Sequence, residues 1–436
     1  MQPVIHIVKK SDLRECYFDV KHLNLIALDC HVRIIKGVIS MFKKEKDMQK
    51  WLRSRLDEID GLSDLIIEYN EECTTDTSNS QRRLIESFNY CLKSLDINEV
   101  ITDDENISLR KGDSLNPDFL LYAPETESIV VLELKNIANP TRQVGTELGA
   151  YSSEIKSHLP FMSDGDIVHV VISREWPTLL KHYIFHEIFW MQRNVLCLEP
   201  VETTNKDVML RVLPSSSFLD EKIQLKLSEN HLAGYQLCLY DNELYAGGSR
   251  ERLDSYLEQI KTSIRAMGVK GTVQNNHGFA FLWKDHRHAS VAPYSITLLN
   301  LAPFKSLERF LHDGGPLSKT TKRLFQLVQE HDPMGQGQSL YEITSYGFKF
   351  LEDICSPRIE GFHTWDVLQD CMLESSDLIE FHAWGVFLEL YTDRLTLEYK
   401  NGNNTVSVND PHLGLALINE LIDENYNFID IHHLEI

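Results

Sequence analysis

The sequence predicts an α/β protein, and two observations carry that expectation. Asp118 to Tyr122 (DFLLY) and Ile129 to Lys135 (IVVLELK) are short, apolar, β-prone runs joined by a polar link that contains Pro124, the pattern of an antiparallel hairpin. Behind them, Asp166 to Ser173 (DIVHVVIS), the stretch Trp176 to Trp190 and the run NVLCLEPV read as strand, helix and strand, an alternation that builds a sheet flanked by helices. A chain of 436 residues has room for two or three domains with sizeable cores.

Taken in order, residues 1–79 read as a helical N-terminal region. A short strand (VIHIVKK) opens it, and the run from Lys36 to Tyr69 carries apolar residues at helical intervals. Glu71 to Ser80 (EECTTDTSNS) is a polar link that ends in helix-capping residues before Gln81. Residues 80–200 form the second unit: the helix RRLIESFNYCLKSL, the hairpin, a polar helix with Gln143 and Tyr151, and the β-α-β run. Residues 201–436 read as an α+β accessory region. There YQLCLY, Asp241-Asn242 and ELYA suggest a hairpin, followed by the amphipathic helix RERLDSYLEQIKTSIRAMG. Next come the strand-rich GFAFLWKDHRHASVAPYSITLLNLAPF and the helical SLERFLHDG and LSKTTKRLFQLVQEHD. Near the end, LTLEYK and TVSVND flank Asn401-Gly402-Asn403-Asn404 as a second hairpin, HLGLALINELIDE is a helix, and FIDIHHLEI is a last strand. The two hairpin-plus-helix units suggest a degenerate repeat without sequence identity.

The chemistry-bearing residues sit on the first hairpin. Side chains alternate along a strand, so Glu133 and Lys135 share a face while Leu134 takes the other. Normal pairing brings Asp118, at the start of one strand, close to Glu133 at the end of its neighbour. Two hard oxygen donors suit Mg²⁺, which takes a few carboxylates and keeps waters and phosphate oxygens. A lone Glu-x-Lys is common in half-exposed strands. Here the flanks are nearly continuous apolar residues, as in a central strand, where ionised groups need a partner or a metal.

Asp118 after Pro117, with Glu133-Leu134-Lys135 fifteen positions on, resembles the core motif of the PD-(D/E)XK nuclease superfamily. The resemblance covers residues 80–200 and implies a restriction-endonuclease-like mixed sheet flanked by helices. It also implies Mg²⁺, with Mn²⁺ as substitute, held by Asp118 and Glu133 and by Glu86 from the preceding helix. Lys135 would hold or activate the attacking water, or neutralise charge developing on the phosphorane. Gln143, Glu147 and Tyr151 fall on one stripe of the following helix, and the RecB-like branch of the superfamily carries Gln and Tyr there, more closely spaced. Gln143 is thereby a catalytic candidate and Tyr151 a substrate-binding one. The implied activity is phosphodiester hydrolysis, on DNA as most such enzymes act, by an endo- or exodeoxyribonuclease; the lack of motor motifs and the large accessory region suggest a prokaryotic restriction or anti-phage effector. The alternatives are a catalytically silent nuclease-like binding or scaffold protein and an RNA-directed nuclease.

Composition sets the outer limits. An excess of 65 Asp and Glu over 43 Lys and Arg gives a net charge of −22, whereas nucleic-acid binding draws on basic surface. Either positive charge is gathered locally, with Arg82, Arg83, Arg142 and Lys156 lining a substrate channel, or another subunit or an activating partner protein supplies it. A homo-oligomer is the expected assembly. No apolar run approaches a membrane span and no signal-peptide core opens the chain, so the expectation is a cytoplasmic protein without a membrane partner. The eight cysteines are scattered and form no CxxC, which reads as reduced thiols without a zinc site. Asp285-His286-Arg287-His288 reads as a polar turn between strands, and Gly335-Gln336-Gly337-Gln338 lacks the Lys-Ser/Thr ending of a phosphate loop.

Overall fold

The computed structural model describes residues 42, 44–74, 77–135, 141–219, 227–312, 315–335 and 337–433. The expected opening strand VIHIVKK lies outside them. The chain divides into two compact units, Met1–Lys222 and Ile223–Ile436. Each is α/β in composition, the first around a mixed sheet and the second around an antiparallel one.

The first unit begins with helix α1 (Glu45–Leu56), which buries Met48 and Leu52, and helix α2 (Asn79–Lys93), whose N-cap Ser78 accepts the Gln81 amide. Six strands follow: β1 (Glu99–Asp103), β2 (Phe119–Ala123), β3 (Ser128–Lys135), β4 (Ile167–Ser173), β5 (Asn194–Glu202) and β6 (Val208–Val212). They lie side by side in sequence order. β1, β2 and β3 are an antiparallel meander, β3–β4 and β4–β5 are parallel, and β6 returns antiparallel to β5. Parallel neighbours need a crossover. Helix α3 (Thr141–His158) and helix α4 (Thr178–Phe185), which runs on into a π-turn over His186–Trp190, supply the two. β3 and β4 are buried along their whole lengths, which is why both read as continuous apolar runs.

The second unit holds β7 (Leu232–Tyr240), β8 (Gly278–Asp285), β9 (Tyr294–Leu301), β10 (Ser356–Thr364) and β11 (Ser376–Trp384), in spatial order β10-β7-β9-β8-β11 and all antiparallel. Its longer helices are α5 (Leu257–Val273), α6 (Lys319–His331), α7 (Gly337–Phe348), α8 (Trp365–Ser375), α9 (Val386–Lys400) and α10 (Pro411–Leu421). Strand alternation divides its core. Ala280 and Leu282 join Ile260, Ile264 and Ile343 on one side of the sheet, and Phe279, Phe281 and Trp283 join Trp365, Phe387 and Ile418 on the other.

Three expectations in this unit are corrected. YQLCLY does not fold back at Asp241-Asn242, because the Asp241 carboxylate accepts the Glu243 amide and the Arg252 fork and starts a 3₁₀ turn over Asn242–Ala246. LTLEYK is the end of α9: Phe387, Tyr391 and Leu395 are buried at helical spacing, so its strand-like alternation comes from a different period. TVSVND is accordingly no strand, and with both hairpins gone the suggested repeat goes too. FIDIHHLEI is not a strand either among its described residues. Ile431–His433 is a 3₁₀ turn, and Ile431 packs on Phe325 and Val328. Asp285 to Ser290 is the expected turn, with the Arg287 guanidinium folded back on the Asp285 carboxylate.

Candidate active site

The candidate site lies where β2 begins and β3 ends. The antiparallel register pairs Phe119 with Leu132, and its extension sets Asp118 beside Glu133. The Asp118 carboxylate accepts the Leu134 amide at 2.7 Å. Two positions apart on β3, Glu133 and Lys135 share a face, and Lys135 Nζ donates to Glu133 Oε1 at 2.5 Å. Helix α3 closes the cluster. Its Glu147 Oε2 lies 3.1 Å from Lys135 Nζ, and one turn on, the Tyr151 hydroxyl donates to the Asn116 carbonyl at 2.9 Å. One helix therefore braces both the Pro-Asp strand and the Glu-x-Lys strand.

Burial governs the electrostatics. Glu133 is 3% exposed and Lys135 8%. Burial pushes the Glu133 carboxyl well above its usual range, the Asp118 charge adds to this, and Lys135 offsets only part of it. Burial likewise raises Asp118, against the pull of the Leu134 amide and Lys135. Burial works against the Lys135 ammonium, but Glu133, Glu147 and Glu45 more than restore it and hold it charged. The second oxygen of Glu133 is buried and has no hydrogen-bond partner. A buried carboxylate oxygen without a donor is costly and marks a place where a cation would be stabilised.

Whether these residues fit Mg²⁺ turns on that oxygen. Among the described residues no three His, Cys, Asp or Glu side chains converge as a metal cage. Mg²⁺ does not require one, since it is commonly held by one or two carboxylates plus water and substrate oxygens. Asp118 and Glu133, whose charges oppose one another and of which Glu133 keeps one unpartnered oxygen, are ligands of that kind. The residues fit the ion.

The other residues read from the sequence are placed as follows. Glu86 is exposed on α2. That helix lies over the beginnings of the strands: Tyr90 reaches Ser128, the first residue of β3, and Ser87 bonds the backbone of Val195 near the start of β5. Glu86, Arg82 and Arg83 are thus set away from the end of β3, a strand that extends roughly 23 Å at 3.3 Å per residue. Besides Glu147, a second helical carboxylate comes towards the site: Glu45, in the first turn of α1, whose charge acts on both Asp118 and Lys135. Lys156 pairs with Asp164 just ahead of β4, at the opposite end of the sheet from Lys135. Arg142 and Gln143 open α3, and their side chains lie outside the described residues. Tyr151 is 5% exposed and its hydroxyl donates to the Asn116 carbonyl, which positions the Asn116-Pro117-Asp118 segment.

Glu147 and Glu45 were not among the residues read as catalytic. The helical stripe through Gln143 and Tyr151 contains Glu147, which was the available signal. Glu45 lies 73 positions ahead of Asp118, and nothing local to it points to the hairpin. Arg174, just past β4, is a further cation at this end, with its amide on the Lys135 carbonyl and its guanidinium on the Phe42 carbonyl. Compared with protein-family models, with curated proteins and with solved structures, the chain finds no match.

Proposed function

We propose that the protein is a metal-dependent nuclease of the PD-(D/E)XK type that hydrolyses phosphodiester bonds, with DNA as the first substrate to test. The carrying observation is the juxtaposition of Asp118 and Glu133 at adjacent strand ends, with one buried, unpartnered Glu133 oxygen and the Lys135 ammonium beside it. The mixed sheet, with its antiparallel meander, crossover helix and parallel strand, accords with the restriction-endonuclease-like arrangement that the motif implies.

Asp118 and Glu133 would hold the ion, which when bound supplies a polarised phosphoryl group and a water of lowered pKa. The chain's own residues do the rest. Lys135 carries a permanent positive charge that can meet a phosphate oxygen or the charge developing on it. The Leu134 amide holds the Asp118 carboxylate, and the Tyr151 hydroxyl holds the Asn116 carbonyl two residues before it.

The test is incubation of the full chain with labelled single- and double-stranded DNA and RNA in Mg²⁺, Mn²⁺ or EDTA. Cleavage in either metal, abolished by EDTA, by Asp118→Asn and by Glu133→Gln, is the expected result. Removing one ligand should lower the rate by at least about 100-fold, since metal affinity and charge stabilisation are lost together. Binding of nucleic acid with no cleavage in any metal would favour the silent scaffold.

A further inference from the structure

We propose that Lys135 is the site's resident cation, and that Glu147 is the perch to which its ammonium moves when a divalent ion takes up Glu133. This rests on the metal-site reading above and adds a device by which the chain manages the empty and loaded states.

Lys135 Nζ makes a hydrogen bond to Glu133 Oε1 at 2.5 Å. Glu147 Oε2 is close by, at 3.1 Å, yet that contact lacks hydrogen-bond alignment, and Glu147 Oε2 has no other hydrogen-bond partner. The ammonium is therefore hydrogen-bonded to one carboxylate and ion-paired, without a hydrogen bond, to a second. Glu133 also keeps a buried oxygen with no donor. Three acidic side chains, Asp118, Glu133 and the partly exposed Glu147, lie around one lysine. A divalent ion on Asp118 and Glu133 would meet a like charge hydrogen-bonded to one of its own ligands. That repulsion falls if the ammonium transfers to Glu147, and a flexible four-carbon stem with three rotatable donors allows such a transfer. Glu147 is then a positioning residue: it touches neither ion nor substrate and acts through Lys135.

A double-mutant cycle on the full chain separates this role from a general effect of negative charge. Mn²⁺ binding is followed by loss of the free-ion paramagnetic resonance signal, with no substrate present. The proteins are wild type, Glu147→Gln, Lys135→Gln and the double variant, each checked for folding by circular dichroism. Lys135→Gln keeps a donor for Glu133, and Lys135→Met is the second background should it fail to fold. Glu147→Gln should weaken Mn²⁺ affinity about tenfold when Lys135 is present and by less than about threefold when it is absent, the non-additivity expected of residues acting through one contact. Equal weakening in both backgrounds would overturn the proposal, because Glu147 would then act on the ion directly or by plain charge. No weakening in either would overturn it as well. These failures leave the metal site standing. Absence of any Mn²⁺ binding by the wild-type protein would overturn both readings.

Discussion

At the scale of single residues, what was legible depended on whether the partner was local. Asp118, Glu133 and Lys135 could be read because a hairpin's register and a strand's alternation are short-range rules, and both place those three side chains. Glu86 was misplaced because a helix face says which residues are exposed and not which end of a sheet the helix crosses. Glu45 reaches the site only through the packing of α1 on the sheet. Burial also sets a testable pH dependence. His169 on β4 is 1% exposed, its Nε2 shares a 2.8 Å bond with Ser152, and burial lowers its pKa to about 4. A histidine depressed in the folded state binds protons more readily when unfolded, so its contribution is whole above the unfolded value near 6.5 and is lost as pH falls towards 4. Urea unfolding at pH 7 and pH 5 should show the wild type losing about 2 kcal/mol more than His169→Asn over that interval. Equal pH slopes in the two proteins would show that His169 is not held neutral.

At the scale of elements, the sequence was clearest where one period was long and unambiguous. β3, β4 and α5 were legible because each buries a continuous run or a full helical face. LTLEYK was not, since a six-residue window cannot distinguish alternation from the tail of a helix that begins at Val386. A second limit is close approach, which composition does not reveal. Gly271 lies inside α5, where alanine has the higher helix propensity by about 1 kcal/mol. A Cβ there would come within 2.5 Å of the Trp384 indole, whose ring is fully buried and donates to Asn276. Overpacking should win, so Gly271→Ala is expected to destabilise the protein by about 1–3 kcal/mol, read as a lower midpoint in denaturant. A neutral or stabilising result would mean that the indole can shift freely.

At the scale of the whole molecule, the charge balance dominates. Of the basic residues named for a channel, Lys156 is tied to Asp164 at the far end of the sheet, and Arg82 and Arg83 lie on α2 over the strand beginnings. No basic channel was therefore found at the site among the described residues, and the net charge of −22 opposes a polyanion. DNA affinity should be poor at physiological salt and should improve as salt is lowered, while light scattering at micromolar concentration should report an assembly larger than one chain. A strictly monomeric protein that cuts duplex efficiently at physiological salt would refute this. The parallel pairing of β3 with β4 also orders events during synthesis. The β2–β3 hairpin can close as soon as Lys135 has been made, but β4 joins only after α3 has crossed back over the sheet, and Glu147 and Tyr151 arrive with it. The carboxylates are thus brought into their final setting late. A growing or partly folded chain would carry the motif without the contacts that Glu147 and Tyr151 make to it.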